Sequence, residues 1–526
     1  MYHQLSMYKK TESFLHQFYQ DIRLLLFVLI LTIIYGVCFV WSEFYQVPNN
    51  SIHDTLNLFS YIALVEIGIF FVLLILSLHK VFFSITFPIL TLICSLFTYY
   101  RYTANITLTP TMIDLLLVND LRTDVSAFSL WLVIIIILTI ILSLFFVWWR
   151  NKKIKNIHYY IWSPLSVFMV YLVCFCFGDR SSKLQMRMPF SFYFNIHEYL
   201  SEYQTIENNR PPFKGKVTCN SDSLIVVYIQ GESLRADHLQ LNGYSRATTP
   251  LLNKEKNIVS FPNVYTDYTY THLSIPHLLT RSDAQHTDRA FKERSFISLL
   301  KMAGYYTSWL GNQEIGSTFV YFSKECDTLQ LAHAGKSLEM FDSWLDEDLL
   351  PLLDNELNRK VSKHFILLHS IGSHWFYNSH FSQKFAHFYP LADNRLVNTN
   401  SHEELCNSYD NTIIYSDWFW SQIIKKLRKR KAILFYMSDH GESLGEDNNY
   451  WHGINRKEQR NIGCFIWYSD SYAASYVDKI KILRANRLNT YQSHILFHSI
   501  LDAADVQSAY MEDSLDIFKF KQSVNK

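Results

Sequence analysis

The chain has 526 residues, a net charge near +1, 16% aromatic residues and only 15 glycines, which excludes a disordered, collagen-like or low-complexity protein. Its balanced charge gives no support for nucleic-acid binding. Charge is also unevenly spread, with 18 charged positions in the first 178 residues against 77 in the remaining 348, so a wholly soluble protein is excluded too.

Apolar runs with almost no charge cover 24–41, 58–78, 81–98, 128–149 and 159–177. Each is close to the ~20 residues that a helix needs to cross a bilayer, which predicts a transmembrane domain of five helices over 1–178. The first run is long, lacks a small-residue cleavage site and is followed by four more, so it reads as a retained anchor. With five spans, Lys9, Lys10, Arg23, Lys80, Arg150, Lys152, Lys153 and Lys155 fall on one side, and only Arg101 and Arg122 on the other. The basic side stays in the cytoplasm, which sends everything after Gly178 to the far side, in a bacterium the periplasm.

Residues 179–218 read as a connector that can lie along the membrane surface near Ser181–Met188, ended by the helix-breaking run Arg210-Pro211-Pro212. In 219–526, short apolar runs alternate with helical patterns near 291–303, 336–358, 407–428 and 491–504. The runs are Leu224–Gln230, Tyr305–Leu310, Phe365–Ser370, Ala432–Met437 and Ile462–Tyr468. Strands apolar on both faces between helices predict an α/β domain with a mainly parallel central sheet. Cys464 reads as a buried thiol, and a Cys326–Cys406 bridge is open in this exported half.

Three polar clusters follow these strands: Gly231-Glu232-Ser233, His369–His374 and Ser438-Asp439-His440-Gly441-Glu442. The carboxyl ends of parallel strands are where such a sheet carries its chemistry. Carboxylate and imidazole groups arriving from separate strand ends can converge on one ion, and zinc takes about four such ligands with a catalytic position left open. Any one cluster is also compatible with ordinary turn residues; three at successive strand ends favour a site.

Further runs make a specific resemblance. They are Gly231–Arg235, Leu241–Pro250, Asn312-Gln313, His369–His374, Tyr409-Asp410-Asn411-Thr412, Ser438–Glu446, Tyr450–Gly453 and Gln459–Trp467. In this order they resemble the sulfatase-like phosphoethanolamine transferases of Gram-negative bacteria, members of the alkaline phosphatase superfamily. The family has a Thr three residues before a Ser-(Val/Ile)-Pro run, which here is Thr271 before Ser274-Ile275-Pro276. Residue types alone leave Thr266 and Thr269 as rivals; the register selects Thr271 as nucleophile. Pro276 suits a first helical turn, which puts Thr271 near a helix N-terminus.

The resemblance implies a catalytic zinc held by Glu232, Asp439 and His440, with Thr271 as fourth ligand or carrying the phosphoryl group. His374 and His452 would contact phosphoryl oxygens, protonate the leaving group or bind a second zinc. His369 fits either such a role or a structural hydrogen bond at its strand end, and His277, Glu442 and Glu446 are supporting residues at most. Asn119 and Thr123 match a loop pattern that meets the lipid headgroup, although the Glu of that pattern is Ala127 here. Tyr270 and His277 stand where the lipid A branch has Cys, pointing to the branches that modify core heptose or related glycans. The implied activity is transfer of phosphoethanolamine from phosphatidylethanolamine, through a phosphothreonine, to lipopolysaccharide at core heptose or lipid A, on an inner-membrane protein with a periplasmic catalytic domain. Phosphoglycerol transfer onto envelope glycans and a sulfatase-like phosphodiesterase are the alternatives, and a non-catalytic envelope scaffold is opposed by the intact ligand set.

Overall fold

The computed structural model describes residues 2–40, 52–104, 130–155, 157–176, 187–198, 200, 210–313, 320–333, 343–394, 397–453 and 455–519. The chain divides into two compact units, Met1–Tyr199 and Leu200–Lys526.

The first unit holds helices α1 (Tyr2–Tyr35), α2 (Ile52–Leu78), α3 (Lys80–Ala104), α4 (Leu130–Lys153) and α5 (Tyr159–Cys176). Segments His16–Val40, Thr55–Leu78, Lys80–Tyr99 and Leu130–Lys153 are long and apolar enough to cross a membrane; α5 is apolar but shorter. Large apolar side chains such as Ile141, Leu144, Val167 and Phe175 point outward, as lipid-facing residues do. At the basic end of the bundle, the buried Arg150 donates from Nε to the Ser77 carbonyl (2.8 Å) and from Nη2 to the Leu78 carbonyl (3.0 Å). A cation thereby satisfies the last carbonyls of α2. Asp21 on α1 accepts from the backbone N–H (2.9 Å) and Nδ1 (2.5 Å) of His158, just before α5. Part of the connector forms α6 (Phe190–Glu198), whose Phe190 joins the apolar cluster of Val65, Ile69 and Val173.

The second unit is built on seven strands: β1 (Leu224–Gly231), β2 (Ile258–Ser260), β3 (Tyr306–Gly311), β4 (Thr328–Leu331), β5 (Lys363–His369), β6 (Ala432–Ser438) and β7 (Cys464–Tyr468). Their order is β2-β7-β6-β1-β5-β3-β4. Strands β6, β1, β5, β3 and β4 run parallel, while β7 is antiparallel to both β6 and β2. The mainly parallel sheet agrees with the sequence reading. The reversed β7 and the short strands β2 and β4 do not follow from it, because a five-residue apolar run carries no direction and three- or four-residue strands carry little pattern.

Side chains alternate across the pleat. Val227 and Ile229 join Ile366, Leu434 and Phe465 in a core closed by Leu349 and Leu353 of α9 (Leu349–Leu357) and by Trp420, Ile423 and Ile424 of α10 (His402–Leu427). Tyr228 faces the other way, towards Phe296 of α8 (Phe296–Met302), which also meets Phe365 and Phe497 of α11 (Ile495–Ala503). Each of these fully buried side chains contributes roughly 1.5–3 kcal/mol. Helix α10 starts at a capping box, in which Ser401 accepts from the Glu404 N–H and the Glu404 carboxylate accepts from the Ser401 N–H.

Cys326 and Cys406 are free thiols rather than a bridge. Cys406 sits on α10 with its sulfur 3.6 Å from His402 Nε2, while Cys326 lies beside Thr307 of β3, so the two side chains occupy separate packing sites. Cys464 is a buried thiol, as expected.

Candidate active site

Strand register assembles the site. Gly231 of β1 pairs with Ser438 of β6, and Gln230 pairs with His369 of β5. The next residues, Glu232 and Asp439, therefore leave the sheet side by side. Both are buried, with His440 beside them. Gly372, at φ +54°, follows β5, and a Cβ there would sit 2.7 Å from the Glu232 carbonyl oxygen, so only glycine allows this close approach.

Thr271 is the first residue of α7 (Thr271–Leu279). Its Oγ1 lies 3.1 Å from His440 Nε2 and 3.3 Å from Glu232 Oε2. Thr266 is bonded elsewhere, to the Tyr268 carbonyl (3.0 Å) and Ser274 Oγ (3.3 Å). Pro276 lies in the second turn of α7 rather than the first. Helix α7 is fixed to the site by Ser274 Oγ, which donates to the Asp439 carbonyl (2.6 Å).

Ligand-type atoms of Glu232, Asp439 and His440 lie within 4.8 Å of one another, as do those of His440, Glu442 and His452. His440 Nε2 is 3.3 Å from both Glu232 Oε1 and Asp439 Oδ2. Its Nδ1–H donates to the Gly441 carbonyl (2.9 Å), which leaves the Nε2 lone pair facing the carboxylates. Burial holds this imidazole neutral, lowering its pKa to about 4. Asp439 Oδ1 accepts from the N–H groups of His440 (2.8 Å) and Ser233 (3.2 Å), whereas Asp439 Oδ2 is buried without a hydrogen-bond partner. Burial, then the adjacent Glu232 charge, pushes the Asp439 carboxyl well above its ordinary range. For Glu232 burial also raises the pKa, but the pull of His440, His374 and His452 outweighs it and the net shift is downward. An orphaned buried carboxylate oxygen, a second carboxylate and an unprotonated imidazole nitrogen fit a divalent cation, and zinc accepts this O, O, N set with a position to spare.

His452 Nδ1–H donates to Glu442 Oε2 (3.1 Å), and the His452 ring lies 4.1 Å from that of His440. Burial alone would lower its pKa, but the Glu442 carboxylate, with Glu232 and Asp439 behind it, raises it to about 9. His452 is thus a charged imidazolium at neutral pH. His374 donates from Nδ1 to the Trp375 carbonyl (2.5 Å) and lies within electrostatic reach of Glu232. His369 is buried against Trp309, and burial lowers its pKa to about 4, so it is a core histidine at the end of β5. Glu446 is drawn away from the cluster by its ion pair with Arg235. His277 donates to the Leu273 carbonyl within α7 (2.6 Å). Asn119 and Thr123, with Ala127, lie outside the described residues.

Gln313 stands in one of the runs that carry the family resemblance, but the sequence assigned it no role. Its Nε2 donates to Glu232 Oε2 (3.3 Å) and to the Ser370 carbonyl (2.7 Å), tying the ends of β3 and β5 to the carboxylate. Beyond that run, its signal was a position just past a strand end. Glu442, expected only as support, shares the second group of donor atoms with His440 and His452.

The sequence profile of the Sulfatase family matches residues 225–506. Phosphoethanolamine transferase EptA of Escherichia coli (strain K12) is 30% identical over 319 residues, 57% of this chain and 57% of that protein, so the match spans little more than half of the relative's length. Among solved structures, the soluble domain of lipooligosaccharide phosphoethanolamine transferase A from Neisseria meningitidis is 29% identical with a TM-score of 0.54, covering 58% of this chain and 97% of that one. The integral membrane protein lipooligosaccharide phosphoethanolamine transferase A (EptA) from the same organism is similar in fold at 24% identity and a TM-score of 0.53, covering 93% of this chain and 97% of that one. With a matched segment longer than half the chain and the strand-end cluster inside it, the chain belongs to the Sulfatase family.

Proposed function

We propose that the chain is a zinc-dependent phosphoethanolamine transferase of the bacterial inner membrane, with its catalytic domain in the periplasm. The observation that carries this reading is the approach of Thr271 Oγ1 to Glu232 and His440 beside the unpartnered Asp439 Oδ2. The similarity to enzymes named as phosphoethanolamine transferases, and four helices of membrane-crossing length and composition, support it further. Glu232, Asp439, His440 and Thr271 would hold the ion, which supplies Lewis-acid stabilisation of negative charge on oxygen when bound.

In the first step Thr271 Oγ, as an alkoxide whose proton would be released to solvent when the ion is bound, attacks the phosphorus of phosphatidylethanolamine. A threonine–phosphorus ester bond forms and the bond from phosphorus to the diacylglycerol oxygen breaks. His452, charged through Glu442, is the group suited to give that oxygen its proton, with His374 as the other phosphoryl contact. In the second step an acceptor hydroxyl on lipopolysaccharide attacks the same phosphorus, loses its proton to the neutral His452 and frees Thr271 as the alkoxide it began as. Asn119 and Thr123 are retained as headgroup contacts, and core heptose is preferred over lipid A because Tyr270 and His277 replace the flanking cysteines.

Purified protein given fluorescent phosphatidylethanolamine should release fluorescent diacylglycerol and, without acceptor, gain a phosphoethanolamine mass on the peptide containing Thr271. Thr271→Ala should keep most of its zinc affinity and lose at least about 10³-fold in turnover, with no adduct. Full turnover by Thr271→Ala would remove the covalent route, and a preference for phosphatidylglycerol would favour phosphoglycerol transfer instead.

A further inference from the structure

The run Tyr409-Asp410-Asn411-Thr412 takes no part in this chemistry, yet all four residues are fully buried in the middle of α10. Consecutive buried polar residues inside a helix are tolerated only when each is hydrogen-bonded. Here each reaches a different segment. Asp410 accepts from Tyr244 Oη (3.0 Å) and Arg246 Nη1 (2.8 Å). Asn411 Oδ1 accepts from the N–H groups of His387 (2.8 Å) and Phe388 (3.0 Å). Thr412 Oγ1 donates to the Tyr409 carbonyl (2.6 Å) and accepts from Ser373 Oγ (2.7 Å) in the loop after β5.

Tyr409 reaches the loop that carries Glu232. Its hydroxyl donates to the Ser233 carbonyl (2.6 Å) and accepts from the Arg235 N–H (2.8 Å). Ser233 has φ +57°, a left-handed conformation that a non-glycine residue holds only when its surroundings over-determine it. Other tethers act on the same turn: the Ser233 N–H donates to Asp439 Oδ1 (3.2 Å), and the Leu234 N–H to Ser438 Oγ (2.8 Å). The turn in turn sets Glu232, because Ser233 Oγ donates to Glu232 Oε1 (2.8 Å). The Ser373 N–H also donates to the Glu232 carbonyl (3.1 Å) and the Gly463 N–H to the Leu234 carbonyl (2.8 Å), while Tyr409 brings a side chain from α10 to the turn.

We propose that Tyr409 is a positioning residue, whose hydroxyl locks the strained turn at Ser233 and so holds Glu232 in its metal-binding arrangement. This rests on the zinc site argued above. Tyr409→Phe keeps the ring, which packs against Tyr377 and His238, and removes only the hydroxyl.

Full-length protein in detergent is titrated with zinc against a chelating dye, and its melting temperature is measured with and without zinc. Tyr409→Phe is expected to bind zinc about 10–100-fold more weakly and to show a smaller zinc-induced rise in melting temperature. Asn411→Ala, which loosens α10 from a segment that touches no donor atom, is expected to melt lower without zinc while keeping wild-type zinc affinity. Ser438→Ala removes another tether of the same turn and is expected to weaken zinc in the same direction, which keeps the idea testable if Tyr409→Phe does not fold. Wild-type affinity in Tyr409→Phe, or in a folded Ser438→Ala when Tyr409→Phe does not fold, overturns the inference, as does an equal loss of affinity in Asn411→Ala. Absence of zinc binding by the unaltered protein overturns the site reading itself, and the inference with it.

Discussion

Asp439→Asn is predicted to change stability in opposite directions with and without zinc. Without a cation, Asp439 is a buried carboxylate whose pKa is raised by burial and by Glu232. With a folded-state pKa above the unfolded value, stability is greatest below pH ~3.8 and falls as pH rises, so keeping the charged form in the fold works against folding. Its Oδ2 is unpartnered, and an unsatisfied buried acceptor costs about 1–3 kcal/mol. An amide nitrogen in that position would stand 3.3 Å from the lone pair of His440 Nε2 and donate to it, while its oxygen keeps the two backbone N–H groups. The zinc-free variant should therefore melt higher, by about 1–2 °C per kcal/mol at ~2.1 cal/mol/K of unfolding entropy per residue. With zinc at about 100 times the wild-type Kd, the unaltered protein gains about 2.7 kcal/mol, whereas a variant of 100-fold weaker affinity gains only about 0.4 kcal/mol. Melting curves of the purified protein with chelator and with zinc read both effects. A zinc-free variant less stable than wild type, or one that gains as much from zinc, would refute the reasoning.

Two further predictions concern other parts of the chain. A reporter active only in the periplasm should work when fused after Gly178 and stay silent within Arg150–Asn156; the reverse pattern would put the catalytic half in the cytoplasm. His498 is buried on α11, where Nδ1 accepts from the Glu512 N–H (3.0 Å), and burial, then the charges of His494, Arg281 and Arg289, lowers its pKa to about 4. A histidine held neutral in the fold stabilises it fully above pH ~6.5 and loses that contribution as pH falls towards 4, a change of order 3 kcal/mol. His498→Asn keeps an acceptor near Glu512, so its melting temperature should fall less steeply between pH 6.5 and 4.5; an unchanged slope would count against this account.

The strand ends were legible because Gly231-Glu232-Ser233 and Ser438-Asp439-His440 each follow an apolar run ending in small or polar residues, a pattern local to the chain. Which strands are neighbours was not local. That Gly231 pairs with Ser438 depends on β1 lying between β5 and β6, and an apolar run does not name its partner. The same gap hid the reversal of β7 and the role of Gln313, whose amide meets Glu232 only because β3 and β5 are adjacent. Thr271 could be chosen over Thr266 and Thr269 only through family register, since three threonines within six residues look alike until α7 begins at one of them. The Cys326–Cys406 idea failed for a related reason: spacing says nothing about which packing site each thiol occupies.

Register also explains why the site is demanding to build. Parallel strands side by side deliver Glu232 and Asp439 at the same level, so two carboxylates are buried together with a neutral imidazole and no lysine or arginine bonded to either among the described residues. Arg235, the nearest cation in sequence, is directed instead to Asp237 and Glu446. A guanidinium on Glu232 would ease folding but would occupy the donor atoms that a cation needs. The fold meets the problem with neutral donors, namely the N–H groups of Ser233 and His440 and the side chains of Ser233 and Gln313. These orient the carboxylates without cancelling their charge. What remains is a pair of oriented, under-neutralised carboxylates whose natural counter-charge would be a divalent ion, and on the proposed function the stability of this unit would follow metal occupancy.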